Sequence, residues 1–182
     1  MDIGETLYVI DRKAWRDWLE AHHASKPEVW LVFYSKASGM SSISYNYAVE
    51  EALCYGWIDS IVKKLGPESR AQRFTPRRPG SPMSEMNKAR VRRLAEAGLV
   101  SPAAMESLAT ILDEPYEVPA DIEATLRADE TAWRNFQAFP ESYKRIRVGW
   151  IDGSRNLPEV FRRRLDYFVR MTRQNKRFGM VQ

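Results

Sequence analysis

The first hundred residues alternate short β-prone runs with amphipathic helical stripes, and this alternation constrains the fold more than any single motif. Residues 28–34, EVWLVFY, are continuously apolar after the first, which is typical of a central strand covered on both faces. The stretch 12–23 before it carries aromatic and aliphatic residues at helical spacing, with Asp11 as a suitable N-cap. After it, Ser44 can cap a second helix of the same kind. A strand between two helices is therefore predicted.

Two more strands and a third helix complete this part of the chain. The strands are predicted near 57–64 and 70–76, joined by a turn, and the helix runs from Ser84 to Gly98, a residue suited to a helix C-terminus. With a short first strand at Glu5–Ile10, the order becomes β-α-β-α-β-β-α. The sequence therefore predicts an α+β domain with one layer of helices.

The remaining residues indicate helices only. Proline is tolerated in a first helical turn, because its missing N–H has no partner there. Such starts occur at Pro102, Pro119, Pro140 and Pro158, and another helix begins near Glu130. The best linker is Asp113–Val118, which holds a proline and three acids. We predict an α+β domain over residues 1–98 and a helical C-terminal domain over residues 99–182.

Composition and charge narrow the class of protein. The N-terminus lacks a secretory pattern, no apolar run is long enough to span a bilayer, and the single cysteine, Cys54, excludes an internal disulfide. These features predict a soluble cytoplasmic protein. The net charge is +4, but residues 61–93 carry ten Lys and Arg against two Asp and Glu. Such a block suggests an anionic partner, although it is also typical of a solvated face or of a surface that docks an acidic segment.

Metal and cofactor sites are not indicated. The two histidines, His22 and His23, are adjacent, so on a helix they cannot share one ion. Cys54 reads as a small core residue, and the standard nucleotide-binding glycine patterns do not occur. We therefore predict no metal and no cofactor, and the sequence assigns no catalytic residue.

The pair of strands at 57–64 and 70–76 carries the candidate ligand-binding residues. If Phe74 faces the core, strand alternation is expected to place a tryptophan, three cations, a carboxylate and a hydroxyl on the opposite face. These residues are Trp57, Asp59, Lys63, Arg73, Thr75 and Arg77. Arginine can grip a carboxylate or phosphate through two parallel bonds, and tryptophan offers a stacking surface. The alternative is an open solvated face on which Asp59 pairs with Lys63 or Arg73.

Asn87 extends this prediction to the third helix. It lies one turn inside the helix start, where an anion is favoured, although a polar residue there often satisfies buried backbone groups. We expect Asn87 at the edge of the same surface.

The chain resembles the YdeI/OmpD-associated family, also described as bacteriocin-protection proteins. The resemblance covers nearly the whole chain, and its motifs are residues 51–60 (EALCYGWIDS), 72–77 (QRFTPR), 84–88 (SEMNK), 118–121 (VPAD) and 142–144 (SYK). It implies a helical C-terminal part and a link to bacteriocin or envelope-stress protection. It supplies no catalytic residue.

Three functions remain open at this stage. The first is a binding module for an anionic small molecule or an acidic protein partner. The second is an enzyme that uses Asp59 as a general acid or base, although neighbouring cations would make it a poor base at neutral pH. The third is weak, sequence-blind nucleic-acid binding, since the pI is near 9.2 but no recognition motif occurs.

Overall fold

A computed structural model describes residues 2–179 and confirms the α+β prediction. Contacts divide the chain into two compact units, residues 1–81 with 90–112 and residues 82–89 with 113–182. The elements of the first unit, with α3 beginning in the second, are β1 (Thr6–Leu7), α1 (Arg12–His22), β2 (Val29–Tyr34), a 3-10 helix (Lys36–Ser38), α2 (Tyr45–Cys54), β3 (Trp57–Lys64), β4 (Ser69–Pro76), α3 (Glu85–Glu96) and α4 (Pro102–Leu112).

The four strands form one sheet in the order β1-β2-β4-β3. Strand β1 pairs with β2 in parallel, whereas β2–β4 and β4–β3 are antiparallel. Residues of β2 are buried on both faces, as its apolar run predicts, and only Tyr34 at its end is half-buried.

Helices α1 and α2 cover the sheet face that carries Phe74. Asp11 and Ser44 cap these helices through their side chains, as the sequence predicts. The Trp15 ring lies 5.4 Å from that of Phe74, and its Nε1–H donates to the Ala48 carbonyl of α2 at 3.0 Å. One tryptophan thus joins both helices to the sheet.

The second unit is helical apart from its connecting segments. Its elements are α5 (Ala120–Arg127), α6 (Glu130–Ala138), α7 (Glu141–Asp152) and α8 (Pro158–Arg173). Their apolar faces share a core in which Ile122, Leu126 and Phe168 are fully buried. The division by contacts assigns α4 to the first unit, and the domain boundary between residues 98 and 99 stays a prediction. Within residues 2–179 no helix is both long and apolar enough to cross a membrane.

Candidate functional site

A β-bulge in β3 decides which side chains share a face. Asp59 lies opposite Phe74, and Val62 lies opposite Gln72, so Ser60 and Ile61 together oppose one residue of β4. Directly opposed residues of antiparallel strands project to the same side of a sheet. Asp59 therefore lies on the helix-covered face with Phe74.

The prediction that all six strand residues share one face is wrong. Trp57, opposite Pro76, accompanies Asp59 on the helix-covered face. Lys63, opposite Ala71, lies on the other face, where alternation along β4 also places Arg73, Thr75 and Arg77. The register sets Asp59 against Phe74, and the extra bulge residue then moves Lys63 to the other side.

Trp57 is a core residue. Its side chain is 1% exposed, its ring lies edge-on to Trp18 at 5.9 Å, and its Nε1–H donates to the His23 carbonyl at 3.1 Å. The protein encloses the indole, which packs α1 against the sheet. Its ring has no exposed face on which a ligand could stack.

Asp59 is held by two side chains that the sequence did not point to. The Tyr45 hydroxyl donates to Asp59 Oδ2 at 2.7 Å, and Gln72 Nε2 donates to the same oxygen at 3.3 Å. Burial, and next the hydrogen bond to Asp59, raise the pKa of Tyr45 to about 12, so the phenol stays a donor at neutral pH. Gln72 is buried and also donates to the Ser60 carbonyl at 3.1 Å. It thereby fixes the bulge and the carboxylate together.

We call the surface formed by four residues the cationic face: Lys63, Arg73, Thr75 and Arg77. Arg73 Nε donates to Glu28 Oε2 at 2.7 Å, and Trp30 Nε1–H donates to the other oxygen of Glu28 at 3.0 Å. Lys63 Nζ lies 5.8 Å from the centre of the Trp30 ring. Glu28 therefore neutralises Arg73, so Arg73 does not pair with Asp59 as the alternative interpretation proposed. Lys63 lies on the face opposite to that of Asp59.

Arg77 differs from Arg73 in having no carboxylate partner in the described part of the chain. Its backbone N–H donates to the Gly56 carbonyl at 2.8 Å, which continues the strand pairing beyond Pro76. Its Nη2 is shielded from solvent and finds no hydrogen-bond acceptor among residues 2–179. Burial alone holds the pKa of Arg77 below its usual value. The guanidinium is thus partly desolvated, and one of its nitrogens has no acceptor among the described residues.

Asn87 belongs to the second unit, whereas the strand residues belong to the first. Its backbone N–H donates to Ser84 Oγ at 3.3 Å, as in a capped helix start. Lys88 lies one turn after Ser84, and its Nζ is 3.0 Å from Glu85 and 2.8 Å from Glu114. These contacts tie the first turn of α3 to the C-terminal unit.

The comparisons with known proteins identify two family segments. A family model described as a domain of unknown function, DUF8412, matches residues 7–107, which is more than half of the 182-residue chain. The chain belongs to this family. A second model, described as bacteriocin-protection, YdeI or OmpD-associated, matches residues 115–175 and confirms the predicted resemblance. The GWIDS, QRFTPR and SEMNK motifs all lie inside the DUF8412 match.

No curated protein and no solved structure gave a significant match in the other two comparisons. The link to bacteriocin protection thus comes from the description of the C-terminal family alone.

The ion pair between Arg73 and Glu28 predicts a pH-dependent contribution to stability. Hydrogen bonds from Arg73 and then Trp30 hold the pKa of Glu28 below its ordinary value of 4.5. This contribution is fully present above that ordinary pKa and is lost as the pH falls through the lower folded pKa. Replacing Arg73 with glutamine is expected to flatten the fall of the urea midpoint on acidification below about pH 5. An unchanged acid profile in Arg73→Gln would contradict the pairing.

Proposed function

We propose that the N-terminal unit is a binding module that takes an anionic ligand on the cationic face, with Arg77 as its anchor. The observation that carries this proposal is Arg77 Nη2, which is shielded from solvent and finds no acceptor among residues 2–179. A charge removed from water is unfavourable unless it is paired. A bound oxyanion supplies the missing partner.

The neighbouring side chains suit an oxyanion. Thr75 lies two residues before Arg77, and strand alternation continued past Pro76 puts both side chains on one face. Thr75 offers a hydroxyl donor, and arginine can bind phosphate or carboxylate through two parallel N–H bonds. Arg73 and Lys63 add positive charge, and Glu28 is the ion-pair partner of Arg73. The face is therefore cationic on balance.

The same geometry weighs against Asp59 as an acid or base that works beside these cations. Asp59 lies on the opposite face of the sheet and accepts from Tyr45 and Gln72, and both contacts stabilise the bulge. We assign it a structural role. The description of the C-terminal family suggests that ligand capture by this chain serves protection against bacteriocins.

A titration with inorganic pyrophosphate tests the proposal. In ¹⁵N-labelled protein, the amide signals of Gly56, Thr75 and Arg77 are expected to shift saturably, at constant ionic strength. Arg77→Met should weaken binding by about tenfold or more, since a charged hydrogen bond contributes roughly 1.5–3 kcal/mol. Arg78→Met is the matched control, because it removes the same charge from the exposed neighbouring position. If both variants weaken pyrophosphate binding equally, the binding depends on net positive charge and not on Arg77, and the proposal is wrong.

Double-stranded DNA provides a second arm of the same experiment. If the cationic face serves nucleic acid, DNA affinity should fall steeply between about 50 and 200 mM salt, and pyrophosphate should compete poorly. We expect weak DNA binding that Arg77→Met and Arg78→Met reduce alike. A DNA complex that depends on Arg77 alone would replace the small-anion proposal.

A further inference from the structure

A second arginine is buried without a charged partner, in the C-terminal unit. Arg147 of α7 is 7% exposed, and its Nε is shielded from solvent with no acceptor among residues 2–179. Three aromatic rings surround its guanidinium: the ring centres of Phe178, Trp150 and Tyr143 lie at 5.0, 5.8 and 5.9 Å. Such rings attract a cation through their faces, but they accept none of its five N–H bonds as an oxyanion would.

No described carboxylate relieves this burial. Desolvation holds the pKa of Arg147 below its usual value, and only the weak electrostatic effect of Tyr143 opposes it. Every other side chain that is nine-tenths buried and carries a formal charge has an ion-pair partner. These residues are Glu50, Glu51 and Lys88. Arg147 is the exception within residues 2–179.

Two further arginines lie near the same aromatic residues. Arg164 of α8 lies with its guanidinium 4.6 Å from the centre of the Trp150 ring and donates to the Trp150 carbonyl. Arg177 is close enough to act electrostatically on the Tyr143 hydroxyl. Cations that gather around an unpaired guanidinium repel one another, so an anion among them would be strongly favoured.

The end of the described chain covers this cluster. The Phe178 backbone N–H donates to the Tyr143 hydroxyl at 3.2 Å, and the Phe178 ring lies 4.7 Å from that of Tyr167. Gly179 has φ +77°, and a Cβ on it would lie 2.6 Å from Arg147 Nη1. Glycine there lets the backbone approach the guanidinium closely.

We propose that Arg147 anchors a second oxyanion site, which takes the phosphate or carboxylate group of a ligand beneath the segment Lys176–Gly179. The aromatic walls exclude water, which strengthens a charged hydrogen bond, and the planar guanidinium can hold two oxygens at once. This site lies within the second unit, whose residues 115–175 match the bacteriocin-protection family model, and the segment Lys176–Gly179 follows that match. The site does not depend on the cationic face of the N-terminal unit.

Inorganic phosphate is the probe for this site, titrated into the full chain at constant ionic strength. The amide signals of Tyr143–Trp150 and Lys176–Gly179 and the Trp150 indole N–H are expected to shift saturably. Arg147→Met should weaken this response by about tenfold or more, whereas Arg77→Met should leave it intact. Arg163→Met, an exposed position on α8, is the matched control. The Arg77 variant keeps failure of this site distinguishable from failure of the proposed function.

The competing explanation is that Arg147 only packs against its rings, and stability in phosphate-free buffer separates the two. For an unfilled anion site, Arg147→Met should be at least as stable as the wild type, because an apolar side chain replaces an unpaired charge. If Arg147→Met fails to fold, the phosphate titration is compared between the wild type and Arg147→Lys. Lysine keeps the positive charge but lacks the paired N–H donors of the guanidinium, so this variant should bind phosphate more weakly. If the amide signals of Tyr143–Trp150 and Lys176–Gly179 in the wild type do not shift when phosphate is added, the proposal is overturned. A response seen only after deletion of residues 180–182 would make the chain itself the acceptor and overturn it equally.

Discussion

Replacing Trp57 with alanine is expected to lower the free energy of unfolding of the N-terminal unit by about 3–5 kcal/mol. The substitution removes a fully enclosed indole that touches Trp18 of α1 and leaves the His23 carbonyl without its donor. Both the cavity and the unpaired carbonyl are unfavourable. Since domains are stable by only about 5–15 kcal/mol, most of the stability of this unit depends on one residue of the GWIDS motif.

Urea denaturation followed by circular dichroism measures this loss, and two variants bracket it. Trp57→Phe keeps an apolar ring without the N–H donor, so it should lose less than the alanine variant. Ile61→Ala lies on the same strand at a position 43% exposed and should change stability by less than about 1 kcal/mol. A Trp57→Ala protein of nearly wild-type stability would return Trp57 to the ligand-stacking role that the sequence suggested.

Local sequence signals sufficed to predict the elements of this fold. Asp11 and Ser44 cap their helices as expected, and the apolar run before residue 35 is the central β2 strand. These features depend on residues a few positions apart, so propensity and periodicity predict them. The early β-prone run was the weak point, because only Thr6–Leu7 pairs as a strand.

The arrangement of the candidate site could not be predicted in the same way, because it depends on register. No sequence signal in β3 predicts the bulge, in which Ser60 and Ile61 together oppose one residue of β4. A bulge of this kind moves every later side chain to the other face. Alternation along β3 therefore fails across the bulge, which puts Lys63 on the face opposite to that of Trp57 and Asp59. That Trp57 and Asp59 share the face of Phe74 depends on the pairing with β4, which the sequence does not show.

Charge counting also failed to distinguish between neighbouring arginines. Arg73 and Arg77 are equivalent in the sequence, yet Glu28 pairs only with Arg73. The cation density of residues 61–93 pointed to the right segment, and tertiary pairing shows which of its cations lack a carboxylate. Arg147 carried no signal at all, because its environment combines two rings of its own helix, α7, with the Phe178 ring of the segment after α8.

Replacing Glu51 with glutamine is expected to lower the free energy of unfolding of the N-terminal unit by about 3 kcal/mol. Glu51 of α2 is 1% exposed, and its two oxygens bind Arg12 and Arg16 of α1, the latter at 2.7 Å. Glutamine has nearly the same shape but removes the carboxylate charge that pairs with Arg16 and one of the two that pair with Arg12. The expected loss lies at the lower end for a broken buried pair, because both arginine side chains are about one third exposed and can reach water.

Thermal unfolding gives the measurement, with Glu20→Gln on the exposed side of α1 as the matched control. For a unit of roughly 100 residues, a loss of this size corresponds to a midpoint lowered by about 12–24 °C, whereas the control should move by less than about 4 °C. Equal shifts in the two variants would show that the Glu51 network adds nothing to the joining of α1 and α2.

The same variant tests the two-domain prediction, since an independent C-terminal domain should keep its helical signal after the N-terminal unit unfolds. A single transition that removes all helical signal at the lowered midpoint would show that the chain unfolds as one cooperative domain.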